Sequence, residues 1–258
     1  MKRQIIGAAI VAMSAMSLWA VPGTIVTEND SKTGDVKWQT RQKQYVVSVK
    51  KGSTMIDVEV KPEEIVKLDI KKPDGLDKSI KAVQEGQGAA AIPTLQKIAD
   101  EYKMLIWDKI AGRYLVQAYL SSGNAQKAYD AATKIVSDDK EAAYKGALAP
   151  AYWQALLKLN KIPQLEKAIK DAKSKGDRAS SAAAMVVSGD LILAKGAGSQ
   201  ESYKQALTDA YLRVALMYND EPCREARIDA MNRAADCFDK LGQATRAENM
   251  RDKAKSLQ

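Results

Sequence analysis

The sequence predicts a mainly α-helical protein, an array of stacked helical hairpins preceded by a small β-barrel-like module. Three observations predict it. A turn residue recurs at Gly86, Gly123, Asn160, Gly198 and Gly242, with spacings of 37, 37, 38 and 44 residues. The stretches flanking those turns carry a 3.6-residue apolar period, whereas the residues before about position 72 alternate with a period of two. A repeat of this size is one helical hairpin, which buries its apolar face only against its neighbours.

Residues 1–20 read as a signal peptide rather than as part of the fold. Lys2 and Arg3 form a short positive segment, and an uncharged, largely apolar run follows from Ile5 to Leu18. Small residues then offer cleavage after Ala20 or after Ser17, the layout of a secretory signal. A retained anchor needs roughly 18 or more apolar residues, and this run is shorter. No cysteine lies near the cut, which excludes a lipoprotein anchor. The expectation is export to the periplasm, the cell envelope or the exterior, with no membrane span in the mature chain.

Residues 21–72 read as the β module. Tyr45, Val47 and Val49 alternate, as do Ile56, Val58 and Val60, and Lys50-Lys51-Gly52-Ser53 between them reads as a hairpin turn. Val36 to Arg41, with Trp38, forms a strand before that hairpin. Val66, Leu68 and Ile70 form another after Lys61-Pro62-Glu63-Glu64. Residues 21–33 read as partly extended or disordered. Four or five short strands in this length suggest a closed module similar to SH3 barrels. Lys71-Lys72-Pro73-Asp74-Gly75 reads as the junction.

From Leu76 to Gln258 the composition shifts to Ala, Leu, Lys, Gln and Glu. Ile80 and Val83 precede the first turn, and Ile92, Leu95 and Ile98 follow it. Ile106, Ile110, Leu115 and Tyr119 lead to Gly123, with Ala128, Ala132 and Ile135 beyond. Tyr152, Leu156 and Leu159 precede Asn160, in a helix that Pro150 should begin or kink. Met185, Leu191 and Leu193 precede Gly198, and Tyr203, Ala206, Tyr211 and Val214 follow. A last long helix is expected from Pro222, at its first position, to Leu241. A charged terminal helix with Ala247 and Ala254 follows. The longer final spacing marks residues 218–222 as the place for an insertion or altered packing.

Two of these hairpins resemble tetratricopeptide repeats. Leu115, Tyr119, Gly123 and Ala128 in one, and Ala234, Phe238, Gly242 and Ala247 in the other, follow that family's order at gaps of four, four and five. Gly permits the tight turn, and Ala lets the two helices approach. The period here is longer than the ~34 residues usual in the family, and Asn160 and Gly198 lack the Ala five residues on. The resemblance implies a right-handed superhelix of four to five hairpins, with a concave groove lined by the first helix of each pair. Carried over from the matching hairpins, the groove positions are Arg113, Gln117, Asn232, Asp236 and Asp239. Arg113 and Gln117 would receive a peptide carboxylate or backbone; the plainer alternative is that they are solvated polar residues of an amphipathic helix.

The remaining chemistry narrows the function. The chain has no histidine, which removes Ser-His-Asp and Cys-His catalysis and nearly all zinc sites. Cys223 and Cys237 fall within one expected helix. Fourteen residues at ~1.5 Å each place them ~21 Å apart, too far for a disulfide, so both read as buried apolar side chains. Asp138-Asp139 and Glu63-Glu64 point apart as sequence neighbours, and one of the first two reads as a helix cap. Gly86-Gln87-Gly88 and Gly196-Ala197-Gly198 lack the context of a phosphate loop. Most of the ten tyrosines, with Trp107 and Trp153, fall at core spacing and read as packing. The net charge of +8 falls to +6 without Lys2 and Arg3, and the excess is spread thinly. That distribution argues against nucleic acid, which selects a clustered basic stripe.

No catalytic, metal or cofactor constellation is found. The sequence therefore predicts an exported, non-catalytic scaffold that binds a protein or peptide partner. A binder of glycan or anionic envelope polymer is the alternative. A carboxylate-based lyase or glycosidase, which needs two acids converging across ~5–9.5 Å, is the lesser one.

Overall fold

The computed structural model describes residues 20–257, so the segment expected to be a signal peptide lies outside the described residues except for Ala20. The chain divides into two compact units, residues 1–71 and 72–258.

The first unit is one antiparallel sheet built from β1 (Val21–Thr27), β2 (Ser31–Gln39), β3 (Gln44–Lys51), β4 (Thr54–Val60) and β5 (Ile65–Ile70). Its strand order is β4-β3-β2-β1-β5. The Tyr45/Ile56 hairpin and the strands around Trp38 and Leu68 lie where the alternation puts them. Val21, Ile25, Val36, Val47, Val60 and Ile70 are buried, and the facing pair Trp38 and Tyr45 meets edge to face at 4.8 Å.

Of the two alternatives for residues 21–33, the extended one holds and the disordered one is corrected: these residues supply β1 and the start of β2, and β1 is an interior strand. Within β1, Gly23 sits directly opposite Gly34. A Cβ on Gly23 would fall 2.9 Å from the Asp69 carbonyl oxygen, so this glycine marks a close approach of strands. The sheet is also not a closed barrel. Among the described residues, β5 pairs with β1 and β4 with β3, each on one side, so both are edges of the sheet.

The second unit consists of helical hairpins. The first four first-arm helices are α1 (Leu76–Gln84), α3 (Trp107–Ser121), α5 (Ala149–Lys158) and α7 (Arg178–Lys195). Their return arms are α2 (Gly88–Glu101), α4 (Ala125–Asp138), α6 (Ile162–Lys175) and the pair α8 (Gln200–Ala206) and α9 (Leu212–Met217), joined by a π turn at Leu207–Tyr211. The fifth hairpin is α10 (Arg224–Lys240) with α11 (Ala244–Lys255).

All five turns share one cause. Gly123 N–H donates to the Leu120 carbonyl at 3.1 Å, and Asn124 N–H to the Tyr119 carbonyl at 2.8 Å. This double hydrogen bond closes a helix on a left-handed residue, and it recurs at Gly86, Asn160 and Gly242. The fourth turn is one residue earlier than the sequence reading placed it. There the left-handed residue in the equivalent position is Ala197 (φ 49°), whose N–H donates to the Ala194 carbonyl while Gly198 donates to Leu193. The first four turns are therefore uniformly 37 residues apart. The fifth position after each left-handed residue is buried: Ala91, Ala128, Leu165, Ser202 and Ala247. Corrected by one, the fourth turn regains a small residue there, Ser202 in place of Tyr203.

The break in spacing before Gly242 has two sources: the π turn, and the irregular chain from Tyr218 through the 3-10 turn Glu221–Cys223. Pro222 belongs to that 3-10 turn, so α10 begins at Arg224 rather than at the proline. Pro150 does begin its helix, near the N-terminus of α5. Asp139 caps the short 3-10 turn Lys140–Ala143 by accepting the Glu141 N–H at 3.0 Å. Trp153 is fully buried and donates its indole N–H to the Ala143 carbonyl at 2.8 Å, as a packing residue should.

Candidate functional site

An open groove of about 670 Å³ lies within the helical unit. Its walls come from the first arms of hairpins two to five: Arg113 and Gln117 on α3, Pro150 and Gln154 on α5, Ala183 and Val187 on α7, and Glu225, Asp229 and Asn232 on α10. The uniform turn spacing sets α3, α5 and α7 side by side, and α10 joins them beyond the irregular stretch at Tyr218–Cys223. Small residues such as Ala151, Ala179, Ala183 and Ala226 leave the space open.

Arg113 and Glu225 bridge the groove from α3 to α10. Arg113 Nη1 donates to Glu225 Oε2 at 2.9 Å, and Nη2 pairs with Oε1 in a forked contact. The Arg113 side chain also lies over the Tyr114 ring, 5.3 Å from its centroid.

Beside the groove lies a buried carboxylate, Asp190 of α7. It accepts hydrogen bonds from the Tyr211 hydroxyl at 2.7 Å and from Gln154 Nε2 at 2.9 Å, and it pairs with Arg233 Nη1 at 2.9 Å. Burial pushes its pKa up from the ordinary carboxylate range, opposed by the Arg233 charge and by the two hydrogen bonds. Arg233 also pairs with Asp229 at 3.2 Å. Tyr211 ends the π turn, and burial, followed by the neighbouring Asp190 charge, pushes its hydroxyl well above the usual phenol range. The ring fits only because residue 189 is glycine: a Cβ there would fall 2.6 Å from Tyr211 Cζ. One carboxylate thus ties α5, α7, the π turn and α10 together.

The structure brings three of the five sequence-derived groove residues together and leaves two apart. Arg113, Gln117 and Asn232 line the groove. Asp236 and Asp239 do not line it; both pair with Arg251 of α11, at 3.2 and 2.6 Å. They lie further along α10, toward its C-terminal end, where they tie it to its own return arm.

Sequence reading missed Asp190, Gly189 and Arg233. A signal for Asp190 was present: it is the only charge between Arg178 and Lys195, and a lone carboxylate in an apolar helix must find partners or neutralise. Arg233 carries no such mark, because α10 is charged on several sides.

Cys223 and Cys237 are free and buried. Burial raises both thiols, each to about 11, so neither is an activated nucleophile. Among the described residues, no cluster of three or more Cys, Asp or Glu side chains is placed to hold a metal ion, and no helix is long and apolar enough to cross a membrane.

No family model matches the chain, and no curated protein does. Two solved chains resemble it in fold, both crystal structures from Podosopora anserina assigned as a putative kinesin light chain with nearly identical TPR-like repeats, one of them carrying a point substitution. Each is 14% identical with a TM-score of 0.40, covering 71% or 70% of this chain and 92% of its own. A likeness at that level adds nothing to what the hairpins and turns themselves show.

Proposed function

We propose that the protein is an exported, non-catalytic scaffold of tetratricopeptide-like hairpins that docks a segment of another protein in the groove of α3, α5, α7 and α10. One observation carries the reading: four first-arm helices contribute to a single groove of about 670 Å³, a size that takes a few residues of extended peptide. Gln117 and Asn232 face it with side chains that make no hydrogen bond to the described residues, which leaves donors and acceptors for a peptide backbone. Export draws its support from the signal-peptide layout of residues 1–20.

The groove favours this reading over an anionic polymer, because both of its arginines are already held by carboxylates. It also favours it over carboxylate catalysis, because Asp190 is committed to three donors that brace helices.

The test is a photoreactive amino acid placed at Gln117 in the native cell, with Lys127 on the return arm α4 as the control. A discrete protein adduct from position 117 and none from 127 supports docking in the groove. No adduct at 117, or the same products from both positions, contradicts it.

A further inference from the structure

We infer that the groove selects a segment carrying a basic side chain, Lys or Arg, seated against Asp177, Glu225 and Asp229. This rests on the peptide-docking reading and names the chemistry of its ligand.

The groove opposes the charge of the molecule that contains it. The chain carries a net +8, yet the ionisable groups lining the groove are three acids, Asp177, Glu225 and Asp229, against Arg113 and Arg233. Asp190, bonded to Arg233 alongside the groove, adds a fourth acid. Neither arginine is available to an incoming carboxylate. Arg113 is forked onto Glu225, and Arg233 is shared between Asp190 and Asp229.

The acids are less fully committed. Asp177 accepts the Ser180 N–H at 2.7 Å as the cap of α7, and it makes no ion pair among the described residues. The Glu225 and Asp229 side chains keep 70% and 50% of their exposure despite their pairs. They stand four residues apart, on one face of α10. An entering carboxylate would thus meet net negative charge with no free cation. An entering ammonium or guanidinium would meet three acceptors while its stem packed on Ala179, Pro222 and Ala226.

The same lining favours a peptide over a small polyamine. A polyamine offers no acceptor to the Gln117 and Asn232 amides and no apolar side chain to Ala183, Val186 and Val187.

The experiment selects a random nonapeptide library displayed on phage against the full mature chain, and in parallel against Asp177→Asn/Asp229→Asn. Asn remains a good helix cap, so the double variant removes charge while keeping the α7 cap. The expected result is enrichment of Lys or Arg by the parent and loss of that enrichment by the variant. The selected peptide, remade synthetically, should then bind the variant about tenfold more weakly, from about three- to fivefold per exposed charge. Replacing its basic residue by norleucine should cause a similar loss, and excess spermine should compete poorly.

Enrichment of acidic or uncharged peptides that still bind in the groove overturns the inference and leaves the docking reading intact. Spermine displacing the peptide as well as the free peptide does overturns it too. Selected peptides that bind equally well when Gln117 and Asn232 are replaced by bulky Trp contradict both readings, as does a failure of the parent to select any sequence.

Discussion

Arg113 on α3 and Glu225 on α10 are 112 residues apart in sequence and joined by a forked ion pair across the groove. Hairpins two and five are thus linked directly, without passing through the hairpins between them. The Arg113 side chain is 19% exposed and Glu225 70%, so the pair lies near the surface, where such contacts contribute about 0–1 kcal/mol. It occupies the guanidinium that the sequence assigned to a peptide carboxylate.

Reversing the pair separates those two effects. Arg113→Glu alone should place two acids in contact and lower stability by roughly 1 kcal/mol. Arg113→Glu with Glu225→Arg should recover most of that loss. Urea unfolding of both variants beside the parent measures it; equal losses in the single and double variants would show that the two residues are not coupled.

Gly189 and Tyr211 pack closely beside the groove. Gly189→Ala should push the ring away from Asp190 and cost about 2–3 kcal/mol, the range of an overpacked core. Tyr211→Leu alone should also destabilise, by removing a buried ring and the hydroxyl that Asp190 accepts from. The combined variant should cost less than the sum, because the added methyl then meets no ring. A strictly additive cycle would contradict the contact.

Asp108, at the start of α3, sets a pH dependence. Only 3% of it is exposed; it accepts the Met104 N–H at 2.8 Å, while its other oxygen has no partner among the described residues. Burial raises its pKa above the ordinary 3.8, opposed by the Met104 hydrogen bond and by Lys109. A carboxyl raised in the folded state binds its proton more tightly there than when unfolded. It therefore costs nothing below the unfolded value, and it becomes destabilising as pH rises through the folded one. Asp108→Asn should be more stable than the parent by on the order of 1 kcal/mol at pH 7, with the difference vanishing near pH 3. Thermal unfolding across that range checks it, and a difference independent of pH would contradict it.

Ala197 holds a backbone conformation that favours glycine, with φ of 49°. Ala197→Gly should raise stability by about 1 kcal/mol despite removing a methyl group, because the left-handed strain is relieved. Asn160→Gly should be close to neutral, since Asn tolerates that region. Denaturation midpoints decide the matter; a loss at position 197 would place the fourth turn elsewhere.

Much of the helical unit was legible because one local device repeats. A left-handed residue with a buried residue five positions on is a local feature, and four of the five turns lie where Gly86, Gly123, Asn160 and Gly242 put them. The fourth was misplaced because Gly196-Ala197-Gly198 offers two glycines, and the residue in the critical conformation is the alanine between them. In the sheet, β1 was hidden because Pro22 and Gly23 imitate a turn, while their real constraint is the strand on either side. Asp236 and Asp239 were misassigned for a similar reason. Helical spacing gives the angle of a residue around α10, but their partner Arg251 lies in another helix. The Asp190 cluster was the least legible, since its four members come from four separate elements and meet only in the folded chain.

The central claim is that α3, α5, α7 and α10 act together as one peptide-binding surface. The most direct measurement is amide hydrogen exchange of the full mature chain with and without the partner segment captured at Gln117. Slowed exchange in those four helices, with α2, α4, α6 and α11 unchanged, is the expected result. Protection confined to the return arms or to the sheet would contradict it.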